Sequence, residues 1–186
     1  MDTFLTRGYT LPIAANFVLN DEKLKPQLTP ESIDYLQQVA ASKPDVWVPR
    51  EEVIRIWALV DKASPDEENA YANLVRGGEA VAQEAISTFL KLLLRVLSPK
   101  QFARKFPDIW AHEHKGGYVE AVVNEDKTMR IIIRDVGGFT YVGPVAVGFV
   151  GTALRALGLH DLKLRDTTWT RKDPAPNEVR LEISWS

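Results

Sequence analysis

The chain has 186 residues, of which 45% are hydrophobic and 26% are charged, and its net charge is -2. These values are ordinary for a globular domain, and they lack the basic excess that nucleic-acid-binding proteins show. The chain contains no cysteine, which excludes disulfides, thiolate nucleophiles and thiolate metal sites. The N-terminus lacks a secretory signal pattern, and the apolar stretch 142–157 is too short to span a bilayer comfortably. We therefore expect a cytoplasmic protein with no nucleic-acid partner and no membrane span.

The N-terminal half has the pattern of several helices. Thr10–Leu19 is short and apolar and fits either a helix or a strand, whereas Thr29 followed by proline predicts the start of a helix. A second helix is predicted to open at Pro49. Ser64 and Glu67 are spaced as a capping box, in which each side chain bonds to the backbone of the other residue, and they predict the start of a third helix.

Two adjacent glycines, Gly77-Gly78, predict an interruption or kink in this third helix. The apolar helical pattern then resumes from Ala82 to Leu97 and predicts a helix central to the core. Ser98 and Gln101 repeat the capping-box spacing and open a further helix, which carries large aromatic side chains on one face and ends at Gly116-Gly117.

The C-terminal part changes to strand periodicity. Residues 118–123 and 129–134 predict a hairpin, residues 142–157 a glycine-bearing helix, and residues 162–170 a third strand. Apolar and polar residues alternate strictly over 179–185, as in a strand with one buried face. The fold class predicted is α+β, with an N-terminal helical layer packed on a C-terminal ββαββ antiparallel sheet. We expect a single domain over 1–186, in which 1–64 is a helical extension and 65–186 holds the remaining helices and the ββαββ unit.

No residue pattern predicts catalysis, so we expect a protein that is not an enzyme. No serine lies in a G-x-S-x-G turn, and the glycines form neither a phosphate-binding loop nor a G-x-G-x-x-G fingerprint. His112 and His114 are two residues apart, whereas a helical zinc pair is four apart. His160 and Asp161 are adjacent and seldom face each other. The sequence therefore predicts no metal site.

The aromatic helix face has two interpretations. Such a stripe is most often part of a core. The functional interpretation is a pocket between this helix, the sheet and the glycine-bearing helix, where glycines let another surface approach closely. The candidate ligand-binding residues are Phe102, Phe106, Trp110, Tyr118 and Phe149.

A set of motifs over residues 65–186 carries a family resemblance. They are Phe106-Pro107-x-x-Trp110, Gly117-x-Val119-Glu120, a hairpin, the helix from Gly143 to Gly158, and a closing strand ending Ile183-Ser184-Trp185. Together they resemble the superfamily of 4-vinyl-reductase-like and heme–nitric-oxide-binding domains, which includes the ligand-binding domains of nitric-oxide signalling and adaptors of Golgi transport. The chain is most similar to a group of bacterial paralogues within it.

The resemblance implies a sensor or adaptor domain with a ligand between helices and an antiparallel sheet. The heme branch has a proximal histidine, close to the position of His112, and a Y-x-S-x-R motif that contacts the heme propionates. At that motif's position the chain has Ile132-Ile133-Arg134-Asp135-Val136, which lacks the tyrosine, the serine and the final arginine. The zinc-containing branch uses cysteines, which this chain lacks. No cofactor is therefore predicted.

The leading hypothesis is a non-enzymatic sensor or adaptor domain in bacterial signalling that binds an apolar small molecule or a protein partner. One alternative is a structural adaptor that forms a homodimer and binds no ligand. Another is a heme-dependent or metal-dependent gas sensor that uses His112 or His114.

Overall fold

The computed structural model describes residues 4–85, 97–124, 127–136, 138–171 and 177–186. Within these ranges lie six α-helices: Thr10–Asn20 (α1), Pro30–Ala40 (α2), Arg50–Ala63 (α3), Glu67–Ala85 (α4), Pro99–Glu113 (α5) and Val142–Ala156 (α6). The strands are Leu5–Arg7 (β1), Trp47–Pro49 (β2), His114–Lys115 (β3), Tyr118–Val123 (β4), Thr128–Arg134 (β5), Lys163–Asp166 (β6) and Glu178–Ser184 (β7). One 3-10 turn spans Lys25–Gln27.

The larger sheet has the strand order β4-β5-β7-β6, and every neighbouring pair is antiparallel. The alternation predicted for the last strand is confirmed, because Val179, Leu181 and Ile183 are buried in one core with side chains of α5 and α6. The opposite face is charged, and Arg134 pairs there with Glu178 at 2.7 Å. The predicted α+β class, with a helical layer over one face of a ββαββ sheet, is confirmed.

A second, smaller sheet joins the start of the chain to its middle. Strand β1 pairs antiparallel with β2 on one side and with β3 on the other, and Thr6 lies opposite His114. Helix α5 therefore ends at Glu113 and continues directly into β3, before the predicted stop at Gly116-Gly117. This pairing brings residues near the N-terminus next to the end of α5.

The two predicted capping boxes have different outcomes. At the start of α5, the Gln101 backbone N–H donates to Ser98 Oγ at 3.3 Å, and the Ser98 backbone N–H donates to Gln101 Oε1 at 2.7 Å. The box predicted at Ser64 is wrong, because Ser64 Oγ donates to the Val60 carbonyl at 2.8 Å and closes the end of α3.

The interruption predicted at Gly77-Gly78 is also wrong, because α4 runs without a break from Glu67 to Ala85. The glycines serve close packing instead. A Cβ on Gly77 would lie 2.5 Å from the Trp57 ring, and one on Gly78 would lie 2.9 Å from the Val145 carbonyl carbon of α6. Gly148 of α6 approaches α4 in the same way. Small residues at this crossing bring the two backbones into contact.

Three further predictions are resolved or corrected. The stretch Thr10–Leu19 is helical, and α3 begins at Arg50, one residue after Pro49. Strand β6 ends at Asp166, well before the predicted residue 170, because the Thr168 backbone N–H donates to Asp166 Oδ1 at 2.8 Å and turns the chain. The apolar pattern over 86–96 lies outside the described residues. The division into one domain with a helical extension stays a prediction.

Candidate ligand-binding site

A cavity of about 80 Å³ lies between the N-terminal elements and the pair α5 and α6. Its position differs from the predicted one, because no described residue of the four-stranded sheet borders it. The sheet-facing sides of α5 and α6 are instead packed solidly against strand residues such as Ile131, which is fully buried. The lining is almost entirely apolar or aromatic and consists of Thr6, Thr10, Val53, Trp57, Val81, Phe106, Ile109, Trp110, Glu113, His114, Phe139, Val142, Val145, Ala146, Phe149 and Val150.

The five predicted ligand-binding residues are divided between this cavity and other places. Phe106, Trp110 and Phe149 border the cavity. Phe102 is fully buried in the sheet-facing core, with its ring centroid 5.4 Å from that of Phe106. Tyr118 lies on β4 with 48% of its surface exposed. The structure thus brings three of the five together, and ligand contact by any of them stays a prediction.

His114 is the histidine at the cavity. Its ring lies 4.1 Å from Trp110, 5.7 Å from Phe4 and 6.2 Å from Phe139, measured between ring centroids. The residue is half-buried, but its Nδ1 atom is buried and has no hydrogen-bond partner among the described residues. Burial lowers the pKa of His114 to about 3, so the imidazole is neutral at physiological pH.

His112 has a different environment from His114. Its side chain is 67% exposed and does not border the cavity, and its Nδ1 atom lies 2.9 Å from Glu113 Oε1. Its Nε2 atom lies 3.2 Å from Nη2 of Arg7. His112 therefore belongs to a surface cluster at the end of α5, and a ligand in the cavity would meet His114 instead.

The polar groups at the rim of the cavity already have partners. Tyr9 donates its hydroxyl to Glu113 Oε2 at 2.6 Å, and burial, reinforced by this bond to a carboxylate, raises the pKa of Tyr9. Thr10 Oγ1 donates to the Arg7 carbonyl at 2.7 Å, and Thr6 Oγ1 donates to the Glu113 carbonyl at 3.4 Å. The bonds from Tyr9 and Thr6 fix the N-terminal residues to the end of α5, beside the cavity.

Solved structures of H-NOX proteins share this architecture. A point mutant of the unliganded Fe(II) H-NOX protein from K. algicida matches with a TM-score of 0.65 and 10% identity over 97% of this chain and 96% of that one. An H-NOX protein from S. oneidensis in the Fe(II)NO state matches with a TM-score of 0.63 and 12% identity over 97% of this chain and 99% of that one. The chain has the H-NOX fold.

The likeness extends to the fold and no further. No protein family profile and no curated protein matches the chain. The match over 97% of this chain includes the N-terminal helices, which the sequence motifs over 65–186 did not cover. Both neighbours named above are described with Fe(II), and the S. oneidensis protein is described with nitric oxide as well.

Heme does not fit the cavity as it stands. Cofactor pockets have volumes of about 300–1,000 Å³, several times the 80 Å³ present here. Aromatic rings surround the His114 imidazole, and Trp110 packs closest to it. The described lining contains no arginine or lysine that would neutralise buried propionates. The feature that favours heme is the unpartnered Nδ1 atom of neutral His114, since neutral imidazole is the form that binds metals.

Sequence reasoning missed the N-terminal contributions to this site. Thr6 belongs to a three-residue strand, which is too short to show a period, and its partner His114 is more than a hundred residues away. In the sequence, Trp57 is one of several apolar residues at helical spacing after Pro49. Its burial against Gly77 of α4 depends on tertiary packing, for which no local pattern in the sequence gives a signal.

Two features are absent from the part of the chain that the structure describes. No group of three or more histidine, cysteine, aspartate or glutamate side chains there is placed to hold a metal ion. Among the same residues, no helix combines the length and the apolar character needed to cross a bilayer.

Proposed function

We propose that this chain is a non-enzymatic ligand-binding domain of a signalling protein, a sensor with the H-NOX fold that binds a small molecule without heme. The observation that carries the proposal is the apolar cavity lined by the N-terminal elements, α5 and α6. Small-molecule sites are typically concave and apolar with a few placed polar groups, and this cavity has both features. The H-NOX neighbours support a sensor role, since S. oneidensis H-NOX is described with a bound diatomic gas.

The cavity joins elements that are far apart in the chain. Val53 and Trp57 come from α3, Trp110 from α5, and Phe149 from α6, and all of them border the same space. A ligand that expands or fills this space would change how α3, α5 and α6 pack around it. Such a shift would carry the signal to the surface of the domain, since packed helices tend to move between discrete arrangements.

Xenon tests the cavity directly, because xenon enters apolar cavities without needing a polar partner. We expect pressurised xenon to shift the methyl NMR signals of Val53, Val142 and Val150 in a saturable way. In Ala146→Leu the larger side chain occupies the cavity, so the xenon affinity is expected to fall at least fivefold. The control Ala111→Leu makes the same change at an exposed position of α5 and should bind xenon like the parent protein. Shifts that are linear in pressure, or equal in both variants, would exclude the cavity as the binding site.

A heme-dependent sensor is the second candidate function. The buried, unpartnered Nδ1 atom of His114 favours it, because this atom is free to act as an axial ligand. Heme binding would require Trp110 and its aromatic neighbours to move away from the imidazole. The dimerising adaptor and a protein partner stay predictions.

A further inference from the structure

Two side chains that line the cavity each carry a buried nitrogen atom that has no hydrogen-bond partner among the described residues. One is Nε1 of Trp57, a side chain that is 1% exposed, and the other is Nδ1 of His114. Other buried indoles are satisfied, since Trp110 Nε1 donates to the Gly116 carbonyl at 3.1 Å and Trp169 Nε1 to the Thr140 carbonyl at 3.0 Å. Buried polar groups nearly always have partners in native proteins. Two such nitrogens around one cavity therefore indicate an occupant with polar atoms of its own.

The charges around the cavity decide the charge of that occupant. Glu113 is the only formally charged side chain in the described lining, and Tyr9 and His112 already engage its carboxylate. His114 stays neutral because of its burial. Lys115 and Arg7, the nearest cations along the chain, both lie over the Trp47 ring outside the lining. An anion would be buried without a counter-charge, and a cation would have to displace Tyr9 or His112 from Glu113, so a neutral occupant fits the lining best.

The size of the cavity and the hydrogen-bond donor on Trp57 restrict the chemical class of the occupant further. An engineered apolar cavity of about 150 Å³ holds benzene. In proportion, a cavity of 80 Å³ takes about three or four non-hydrogen atoms. The indole N–H of Trp57 is a donor only, so the occupant must present an acceptor to it.

We propose that the cavity binds a short, neutral carbonyl or hydroxyl compound whose oxygen accepts a hydrogen bond from Trp57 Nε1 and lies beside His114 Nδ1. This proposal rests on the proposed function and adds the chemical class of the ligand to it. The apolar side chains of Val142, Ala146 and Val150 would surround the carbon end of such a molecule.

Acetone and isobutane form a matched pair of probes, because they have the same number of non-hydrogen atoms and differ in one acceptor. We expect acetone to shift the indole N–H signal of Trp57 and the Nδ1 signal of His114 in a saturable way in ¹⁵N NMR spectra. Isobutane should shift methyl signals of the lining and leave the Trp57 indole signal in place. The missing signal in Trp57→Phe assigns that indole.

Trp57→Phe removes the donor and keeps an aromatic ring. Its acetone affinity should fall about fivefold, which corresponds to one ordinary hydrogen bond. Trp169→Phe is the control, since its indole bonds to Thr140 and does not border the cavity. If Trp57→Phe does not fold, the indole shift in the parent protein still decides the question.

The possible failures are distinguishable. If xenon binds but acetone moves neither the indole nor the His114 signal, the polar-ligand proposal is wrong and the ligand-binding function stands. The same conclusion follows if ordered water holds both nitrogens and acetone does not displace it. If neither xenon nor acetone binds, the proposed function itself is overturned.

Discussion

Gly148→Val is expected to lower the free energy of unfolding by about 3 kcal/mol, the upper end of the usual cost of overpacking. A Cβ at this position would lie 2.7 Å from the backbone nitrogen of Glu79 and closer still to the carbonyl oxygen of Val75. Both atoms are backbone of α4, which cannot rotate aside as a side chain can. The two helices would have to separate along their whole contact. Urea unfolding, monitored by circular dichroism, measures this change in the free energy of unfolding.

Gly151→Ala is the matched control in the same helix. A Cβ there would meet only the guanidinium of Arg155, at 3.7 Å, which is an ordinary contact. Alanine also favours helix over glycine by about 0.8–1.0 kcal/mol, so this variant should be slightly more stable than the parent protein. Equal destabilisation by both variants would show that the close crossing of α4 and α6 is wrong.

Acidification is expected to destabilise the protein through His114. The pKa of this imidazole falls from an ordinary value of 6.5 to about 3 on folding. A folded pKa below the unfolded pKa means that the unfolded chain takes up the proton first, so stability present above pH 6.5 is lost as the pH falls toward 3. Each pH unit in this window costs about 1.4 kcal/mol for a fully buried group. Because His114 is partly exposed, we expect a loss of about 2 kcal/mol between pH 7.5 and 4.5.

His114→Phe isolates this contribution. Phenylalanine keeps an aromatic ring among Phe4, Trp110 and Phe139 and cannot be protonated. Other groups that titrate on acidification, such as Glu178 with its lowered pKa beside Arg134 and Arg180, are present in both proteins and cancel in the comparison. The pH dependence of urea unfolding should therefore be shallower in the variant by the amount given above. Identical pH dependence in the two proteins would mean that His114 is not buried in the folded state.

The sequence predicts the C-terminal half of this fold well because the signals there are local. Alternation over 179–185 and the capping box at Ser98 each depend on neighbouring residues and are reproduced in the structure. The errors arise where a residue's role is set by a distant partner. Gly77-Gly78 looks like a helix interruption in the sequence, and only the approach of α6 shows that it is a packing surface.

The sequence predicts only part of the candidate site, because local patterns identify some of the lining residues and distant partners bring in the others. Phe106, Trp110 and Phe149 lie on two helices with clear apolar faces, and they do border one cavity. Trp57 and Thr6 complete it from the N-terminal segment, and no local pattern connects them to α5. The choice between His112 and His114 also depends on long-range pairing, since β1 places His114 inside and leaves His112 at the surface.

A titration with hemin is the most direct test, because binding without heme is the proposed difference between this chain and the Fe(II)-containing proteins that share its fold. The absorption spectrum is recorded for the parent protein, for His114→Phe, and for His112→Phe as the control at the exposed histidine. We predict no stoichiometric Soret band and the same weak, non-saturating signal in all three proteins. A stoichiometric Soret band in the parent protein and in His112→Phe that is lost in His114→Phe would contradict the claim and establish His114 as an axial ligand.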